Sequence, residues 1–252
     1  MKALVTGASS GIGLEIAKYL DSLGYSLILA SRDKEKLEEL QKILKNKSKI
    51  VVLDLSDMAS LKNLYVFTKG EDIDILVNCA GFGVHGEFTS TDLNKELNMI
   101  DVNIKAVHVL TKLFLKDMKK KDKGYILNVS SSASFYPGPL MSSYYASKAY
   151  VTSLTKGISH ELKKANSKVK VSCLCPGPVN TNFNNVAGVN FSVKPLTPEY
   201  VAKYAIDNML KGKLVIIPGF KMKLAKFFSR FLSDNLTMNI AYNIQKNKLK
   251  WK

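Results

Sequence analysis

Seven short, predominantly apolar runs alternate along this chain with longer segments in which apolar residues recur at helical spacing. Strands that are apolar at every position, rather than at every second one, are buried on both faces. Their alternation with helices predicts an α/β fold, a doubly wound parallel sheet of seven strands with helices on both faces. The strands are predicted at residues 2–6, 26–30, 50–53, 73–78, 125–129, 169–175 and 214–217, and the helices at 11–23, 34–44, 57–69, 92–119, 143–165 and 198–210.

The size and composition suit a single domain. The chain has 252 residues, of which 46% are hydrophobic, enough for one α/β domain with a sizeable core. No apolar run approaches the roughly 20 residues of a membrane helix. The first residues lack a signal-peptide layout because glycines follow at once. We therefore expect residues 1–219 to form one cytoplasmic domain.

The three cysteines indicate neither a disulfide framework nor a metal site. Their odd number and their spacing do not match either arrangement. Cys173 and Cys175 lie in the apolar run 169–175, where alternate residues of a strand point to the same face. They are predicted to be buried and to behave as small hydrophobic residues.

The net charge of +16 is unevenly distributed. From Lys211 onward the sequence has ten basic residues and one acid, Asp234, so +9 of the charge lies in the last sixth. A basic tail on a mildly basic body is not typical of a nucleic-acid-binding fold. The tail also lacks the aromatic and basic residues interleaved on a sheet that single strands prefer. We therefore expect no nucleic-acid partner.

Residues 220–252 form a basic extension with an apolar stripe. Large apolar residues recur at helical spacing with lysines between them, which predicts an amphipathic helix. The stripe can pack on the body or on a second subunit, or lie on an anionic membrane surface. We favour packing, because such stripes more often belong to a core. The stripe consists of Phe220, Leu224, Phe227, Phe228, Phe231 and Leu232.

A glycine-rich turn joins the first predicted strand to the first predicted helix. Residues 6–13 read Thr-Gly-Ala-Ser-Ser-Gly-Ile-Gly. Gly7 permits a tight turn, Gly11 lets the backbone approach a pyrophosphate, and Gly13 lets the helix pack closely on the sheet. The amides at the helix N-terminus then face the phosphates. A purely structural turn is the alternative, but the strand–turn–helix context favours a dinucleotide site of Rossmann type.

The spacing of these glycines resembles that of the short-chain dehydrogenase/reductase family, in its short single-domain branch. The resemblance covers residues 1 to about 219, and further motifs follow in order. They are Asn78-Cys79-Ala80-Gly81, Tyr144-Tyr145-Ala146-Ser147-Lys148 and Pro176-Gly177-Pro178-Val179-Asn180-Thr181. One departure is Cys79, which stands where the family has a second asparagine. The resemblance implies a nicotinamide-dependent oxidoreductase.

The resemblance also implies roles for single residues. Asp54 matches the acid that meets the adenine, and Asn78 matches the asparagine that supports the adenosine side. Asn103 matches the asparagine of the fourth helix that holds a water in a proton relay. The implied cofactor-binding residues are Gly7, Ser9, Ser10, Gly11, Ile12, Gly13, Arg32, Asp54, Asn78, Ala80, Gly81, Tyr144, Lys148, Pro176, Gly177, Val179 and Thr181.

The chemistry of carbonyl reduction points to Tyr144 as the proton donor and acceptor. Hydride transfer to a carbonyl requires a proton for the developing alkoxide, and oxidation requires the reverse. Lys148 lies four residues after Tyr144, on the same face of the predicted helix. A cation at that range lowers the pKa of a phenol by ~1–3 units. Tyr145 has no such partner, because Ala149 lies four residues after it.

Ser131 completes the predicted catalytic set. It lies thirteen residues before Tyr144, which is the family's separation between its serine and its tyrosine. Its hydroxyl is expected to polarise the substrate oxygen. A serine hydrolase is disfavoured because the chain has no Gly-x-Ser-x-Gly elbow. A catalytically silent, NADP-binding regulatory or scaffold protein of the same fold is the alternative.

The end of the second strand favours NADP(H) over NAD(H). A site that prefers NAD(H) has a carboxylate there, which binds the ribose 2′-hydroxyl. Here the position is Ser31, and Arg32 follows it as a candidate clamp for a 2′-phosphate. Asp33 is expected to cap the next helix.

The remaining expectations concern substrate and assembly. The family resemblance implies a flap at residues 180–197, and Phe183, Val186 and Phe191 suggest an apolar pocket wall there. His85 follows the fourth strand, where we favour a solvated loop over contact with substrate. The substrate is expected to be a small carbonyl compound or secondary alcohol. Relatives pair through their fourth and fifth helices, so a homodimer or homotetramer is expected.

Overall fold

The computed structural model of this protein describes residues 1–183 and 194–247, without the side chains of residues 230 and 247. Seven parallel strands form one sheet in the order β3-β2-β1-β4-β5-β6-β7. The order reverses between β1 and β4, which is the point where ligands bind in doubly wound sheets. The strands are β1 (Lys2–Thr6), β2 (Ser26–Ser31), β3 (Ser48–Val52), β4 (Ile75–Asn78), β5 (Tyr125–Val129), β6 (Lys170–Leu174) and β7 (Val215–Ile216).

Helices cover both faces of the sheet, as expected. On β1, Ala3 and Val5 pack with Ile16 on one face, whereas Leu4 packs with Leu110 on the other. Both faces are therefore dry, which explains why the strands are apolar at every position. The helices are α1 (Gly11–Ser22), α2 (Lys34–Ile43), α3 (Met58–Phe67), α4 (Leu93–Ile100), α5 (Val107–Lys121), α6 (Ser142–Lys164), α7 (Pro198–Leu210), α8 (Phe220–Phe228) and α9 (Asp234–Asn247).

Two of these helices begin at the residues that the sequence predicts. The Asp33 side chain accepts a hydrogen bond from the Lys36 amide at 3.1 Å and caps α2. The Thr197 side chain caps α7 in the same way, with Pro198 at the first helical position. Each cap satisfies an amide that has no partner within its helix.

The predicted helix at 92–119 is interrupted. A π-helical segment, Asp101–Ala106, separates α4 from α5. A π turn inserts an extra residue into the helix and often lies at a functional site. The segment contains Asn103, whose side chain is fully buried. The prediction of one continuous helix is therefore wrong, because periodicity alone does not reveal one inserted residue.

The C-terminal extension differs from the expectation in two ways. It forms two helices, α8 and α9, joined through a 3₁₀ turn at Ser229–Phe231, whereas the spacing of the apolar stripe predicts only the first. Within residues 1–183 and 194–247 its apolar stripe is largely uncovered, because its six side chains remain between 39% and 72% exposed. None of the described helices combines the length and hydrophobicity of a membrane-spanning segment.

Cys173 and Cys175 are buried on one side of β6, as predicted. Both are completely inaccessible to solvent, and their sulfur atoms lie 3.6 Å apart without a covalent bond. They pack with Ile217 and with Met222 of α8. They therefore help to seat the C-terminal extension on the sheet.

Candidate active site

A cavity of about 1390 Å³ lies beyond the carboxyl ends of the strands. Its walls are formed by the segments that follow six of the seven strands, and by both C-terminal helices. Of the predicted site residues, all except Asn78 and Asn103 line it. The sheet thus brings together residues from positions 7 to 181 of the chain.

The glycine-rich turn leaves no room for side chains at the start of α1. Gly7 has a φ of +69°, and a Cβ there would lie 2.8 Å from the backbone of Ala80. A Cβ on Gly13 would lie 2.2 Å from the carbonyl oxygen of Gly7, so α1 could not approach the turn. Gly11 faces Thr181, whose Cγ2 would be 3.1 Å from an added Cβ. This cradle at a helix N-terminus fits the pyrophosphate of a dinucleotide.

The ends of β2 and β3 form the adenosine side of the cavity. Arg32 and Asp54 both line it, and Arg32 is close enough to contribute to the lowered pKa of Asp54. The main cause of that lowering is a backbone hydrogen bond from Ser56. Ser31 is buried, and its hydroxyl accepts a hydrogen bond from the Asp33 amide at 3.1 Å. The strand end therefore presents a cation and no carboxylate at positions 31 and 32.

Asn78 lies behind the cavity wall rather than in it. Its side-chain amide donates to Thr111 at 3.1 Å and to Asn128 at 2.8 Å. Asn128 in turn donates to Thr155 at 3.0 Å. This buried network ties β4 and β5 to α5 and α6. Asn78 consequently supports the wall that Ala80 and Gly81 form.

Tyr144, Ser131 and Lys148 converge in the wall on the other side of the turn. The side chains of Ser131 and Tyr144 form a hydrogen bond. Lys148 Nζ lies 5.8 Å from the centre of the Tyr144 ring and donates to the Val129 carbonyl at 3.1 Å. Tyr144 is 8% exposed and Lys148 is 5% exposed, so both polar groups are held in a largely dry environment.

The pKa values in this cluster are controlled by burial. Burial raises the pKa of Tyr144 to about 12, and the hydrogen bond with Ser131 opposes this increase. Burial also lowers the pKa of Lys148 to about 8, because the ammonium loses its hydration. The net shift of the Tyr144 pKa is therefore upward, opposite to the net lowering expected from Lys148, because burial outweighs the interactions that favour the phenolate. Tyr144 is a neutral phenol at neutral pH.

Asn103 joins α6 to the segment after β4. Its side chain accepts from the Phe82 amide at 3.1 Å, and donates to the Phe82 carbonyl at 2.9 Å and to Ser147 Oγ at 3.1 Å. A Cβ on Gly81 would lie 2.8 Å from Asn103 Oδ1 and 3.1 Å from Lys148 Nζ. Asn103 thus holds the wall beside Lys148, although it does not line the cavity itself.

Several residues of the cavity were not predicted. Gln245 of α9 donates from Nε2 to the Tyr145 hydroxyl at 2.7 Å and is 2% exposed. The backbone carbonyl oxygen of Gln245 lies 3.2 Å from Nε2 of His85, which is half-buried in the cavity wall. His85 thus lies in a loop, as expected, but it is partly buried by contact with α9 rather than fully solvated. Thr237, Ala241 and Gln245 recur every four residues, a pattern that predicts one helix face but not what it contacts.

Phe183 forms part of the apolar wall, as predicted. Its ring centre lies 5.4 Å from that of Tyr144. The other two predicted wall residues, Val186 and Phe191, lie outside the described residues. The cavity is therefore apolar on the side where a substrate would meet Tyr144.

Comparison with known proteins identifies the family. Residues 1–189 match the family model of short chain dehydrogenases. An uncharacterized oxidoreductase of Staphylococcus saprophyticus is 36% identical over 81% of this chain and 88% of its own length. A very-long-chain 3-oxoacyl-CoA reductase of Anas platyrhynchos is 35% identical, over 82% and 68%. A probable NADP-dependent dehydrogenase of Haemophilus influenzae is 34% identical, over 81% and 85%.

Solved structures agree with this assignment. A short-chain dehydrogenase from Sphingobium yanoikuyae in complex with NADPH is 25% identical, with a TM-score of 0.82 over 94% of both chains. A short-chain dehydrogenase/reductase from Burkholderia phymatum in complex with NAD is also 25% identical, with a TM-score of 0.84 over 94% of this chain and 95% of the other. The family model, the sequence relatives and the solved structures agree with the glycine-rich turn and the seven-stranded sheet. This chain therefore belongs to the short-chain dehydrogenase/reductase family of nicotinamide-dependent oxidoreductases.

Proposed function

We propose that this protein is an NADP(H)-dependent oxidoreductase that interconverts a carbonyl and a secondary alcohol, with Tyr144 as its general acid and base. The observation that carries the proposal is the convergence of Ser131, Tyr144 and Lys148 in one cavity with the glycine-rich turn. When bound, the nicotinamide supplies or accepts the hydride. We assign proton transfer and the orientation of the substrate oxygen to side chains of this protein.

The protonation states in the cluster support reduction at neutral pH. With its pKa at about 12, Tyr144 carries its proton and can donate it to a developing alkoxide. The Ser131 hydroxyl bonds to Tyr144 and is positioned to orient the same substrate oxygen. The ammonium of Lys148, 5.8 Å from the ring centre, stabilises the phenolate that remains after proton transfer. Asn103 binds the backbone of Phe82 and the Ser147 hydroxyl, and so fixes the segment after β4 beside the helix that carries Lys148.

The preference for NADP(H) rests on the end of β2. Arg32 lines the cavity beside Asp54, and no carboxylate stands at position 31. A guanidinium binds a 2′-phosphate by charge and by paired hydrogen bonds. The NADPH complex and the NADP-dependent relative support this preference, whereas the NAD complex shows that the fold accommodates either cofactor.

The apolar wall supports a lipophilic carbonyl substrate. Phe183 and Met141 line the cavity and pack with Tyr144. The name of the Anas platyrhynchos relative describes reduction of a long-chain oxoacyl thioester, which is a carbonyl with a long apolar chain. We therefore propose substrates that combine one reactive carbonyl with an apolar body.

Turnover of a carbonyl panel by matched tyrosine variants tests this proposal. NADPH oxidation is followed with ketones and 3-oxoacyl thioesters of increasing chain length. Tyr144→Phe is expected to lower kcat by roughly 10²–10⁴-fold, because the proton donor is lost, while NADPH still quenches or transfers fluorescence on binding. Tyr145→Phe removes the neighbouring hydroxyl, and Tyr150→Phe removes one from the exposed side of the same helix.

The tyrosine variants distinguish the proposed reaction from its alternatives. If turnover survives in Tyr144→Phe but falls in Tyr145→Phe, then Tyr145 is the proton donor and the assignment to Tyr144 is wrong. An unchanged Tyr150→Phe variant shows that the effects do not come from α6 in general. Silence of the natural protein across the whole panel, with NADPH binding intact, would favour a regulatory NADP-binding protein.

A further inference from the structure

The C-terminal extension presents an apolar surface that the described part of the protein does not cover. On α8 and the turn after it, Phe220, Phe227 and Phe231 are 72%, 53% and 72% exposed. On α9, Ile240 and Ile244 are 45% and 47% exposed. Large exposed apolar patches of this kind mark interaction sites on proteins. We call the surface formed by Phe220, Leu224, Phe227, Phe231, Leu236, Ile240 and Ile244 the apolar patch.

The packing of α8 directs its apolar face away from the body. Met222 contacts Gly177, where an added Cβ would lie 2.7 Å from Met222 Cγ. Lys226, one turn later, places Nζ 4.7 Å from the centre of the Phe135 ring. These two residues define the inner face of the helix. Phe220 and Phe227 lie on the opposite face, because residues seven apart align and residues two apart are nearly opposed.

Helix α9 leaves one apolar row uncovered beside its buried row. Thr237, Ala241 and Gln245 recur every four residues and are 8% exposed or less. The neighbouring row, which includes Ile240 and Ile244, is apolar and remains exposed. A surface helix in water normally buries its most apolar row and exposes its polar one. The hydrogen bond from Gln245 to Tyr145 keeps this orientation in place.

Positive charges border the apolar patch. On α8, Lys221 and Lys223 are exposed and lie on either side of the row of phenylalanines. Lys246 is exposed at the end of α9. Between residues 220 and 247 the sequence contains a single acid, Asp234. An apolar face with lysines along its edges complements a lipid bilayer that carries negative headgroups.

The apolar patch is continuous with the cavity of the candidate active site. Phe228 and Leu232 of the extension line the cavity, and so do Ile240 and Ile244 of the patch. Apolar side chains of α8 and α9 therefore extend from the protein surface to the lining of the cavity that contains Tyr144. A compound held in an apolar phase would meet this lining first.

From these observations we propose that the apolar patch docks the protein on the surface of an anionic lipid bilayer, with α8 and α9 lying in the interface. A second copy of the chain suits the patch less well. In a two-fold interface the same patch meets itself, which would bring Lys221 and Lys223 close to their copies on a protein of net charge +16. The docking does not depend on the proposed reaction, so the two can fail separately.

Vesicle co-sedimentation of the full chain tests the docking. The vesicles consist of phosphatidylcholine alone or mixed with phosphatidylglycerol. The natural protein is expected to pellet with the mixed vesicles and to be released by salt. Phe220→Ser/Phe227→Ser is expected to weaken binding by at least tenfold for each phenylalanine, as roughly expected for the loss of its apolar area. Lys221→Gln/Lys223→Gln is expected to weaken it by roughly fivefold for each lysine.

The matched control is Phe88→Ser, because Phe88 is 67% exposed on a loop outside the patch and the cavity lining. It should bind vesicles as the natural protein does. NADPH binding and thermal unfolding of each variant establish that it is folded. Equal pelleting of the natural protein and Phe220→Ser/Phe227→Ser would overturn the proposal. Failure of the natural protein to bind mixed vesicles would also overturn the proposal. In that case, a dimer detected by light scattering and dissociated by Phe220→Ser/Phe227→Ser would show that a second copy covers the patch.

Discussion

Replacing Lys148 by methionine is expected to stabilise the protein while it damages the candidate active site. Burial lowers the pKa of Lys148 from 10.5 to about 8. At about 1.4 kcal/mol for each pH unit, holding the ammonium in the folded protein at neutral pH costs roughly 3 kcal/mol. Methionine fills a similar volume without charge, but it loses the hydrogen bond to the Val129 carbonyl, worth about 1 kcal/mol. The net gain is about 2 kcal/mol.

The assay is thermal unfolding without cofactor at several pH values. At neutral pH the gain corresponds to a rise in Tm of roughly 4–8 °C for a chain of this size. Below pH 8 both states of the natural protein hold the lysine proton, so the cost is fully present. Between about pH 8 and 10.5 the folded protein has lost the proton and the unfolded chain keeps it, so the cost declines. The advantage of Lys148→Met should therefore shrink over that window and become a loss of about 1 kcal/mol above it, where only the missing hydrogen bond to the Val129 carbonyl remains.

A matched substitution separates this effect from a general loss of positive charge. Lys156→Met changes an exposed lysine two turns further along α6 and should alter the free energy of unfolding by less than about 0.5 kcal/mol. A Lys148→Met variant that is less stable at pH 7 would refute the reasoning. A gain that is the same at pH 7 and at pH 11 would do so equally.

Two further predictions concern the cofactor side of the cavity. Arg32→Ala should weaken NADPH binding by roughly 10- to 100-fold, as expected for lost hydrogen bonds to a charged group, and should leave NADH binding nearly unchanged; fluorescence titration measures both, and equal losses would remove the argument for NADP(H). Gly13→Ala should destabilise the protein by about 3 kcal/mol and abolish NADPH binding, because its Cβ would lie 2.2 Å from the Gly7 carbonyl oxygen. The control is Gly157→Ala on α6, where an added Cβ has nothing within 4 Å. Urea unfolding should show that Gly157→Ala adds up to about 1 kcal/mol of stability. A Gly13→Ala variant as stable as the natural protein would contradict the steric argument.

Much of the site could be predicted because its residues follow strand ends. A parallel sheet places all of its carboxyl ends along one edge, so Gly7, Arg32, Ser131 and Gly177 converge once the strands are recognised. Helical spacing likewise places Tyr144 and Lys148 on one face. These inferences need only local patterns and the direction of the strands. Asn78 and Asn103 are the exceptions, because burial behind the wall is not visible in spacing.

The C-terminal extension could be predicted only in part. The period of its apolar residues indicates α8, yet no pattern states whether the stripe is covered. Helix α9 went unpredicted because its most buried row, Thr237, Ala241 and Gln245, is not apolar. A hydrogen bond between residues 100 positions apart, Gln245 and Tyr145, holds it against the site. Contacts at that separation follow from packing and leave no periodic signal.

The sequence by itself determined the order of strands and helices, the dinucleotide turn and the tyrosine with its lysine four residues later, because each depends on neighbours in the chain. The tertiary structure alone decided the environment of those groups. Burial, not Lys148, sets the pKa of Tyr144 at about 12, and the packing of Met222 turns the phenylalanines of α8 outward. Desolvation and exposure depend on everything that surrounds a side chain, and those surroundings come from distant parts of the sequence.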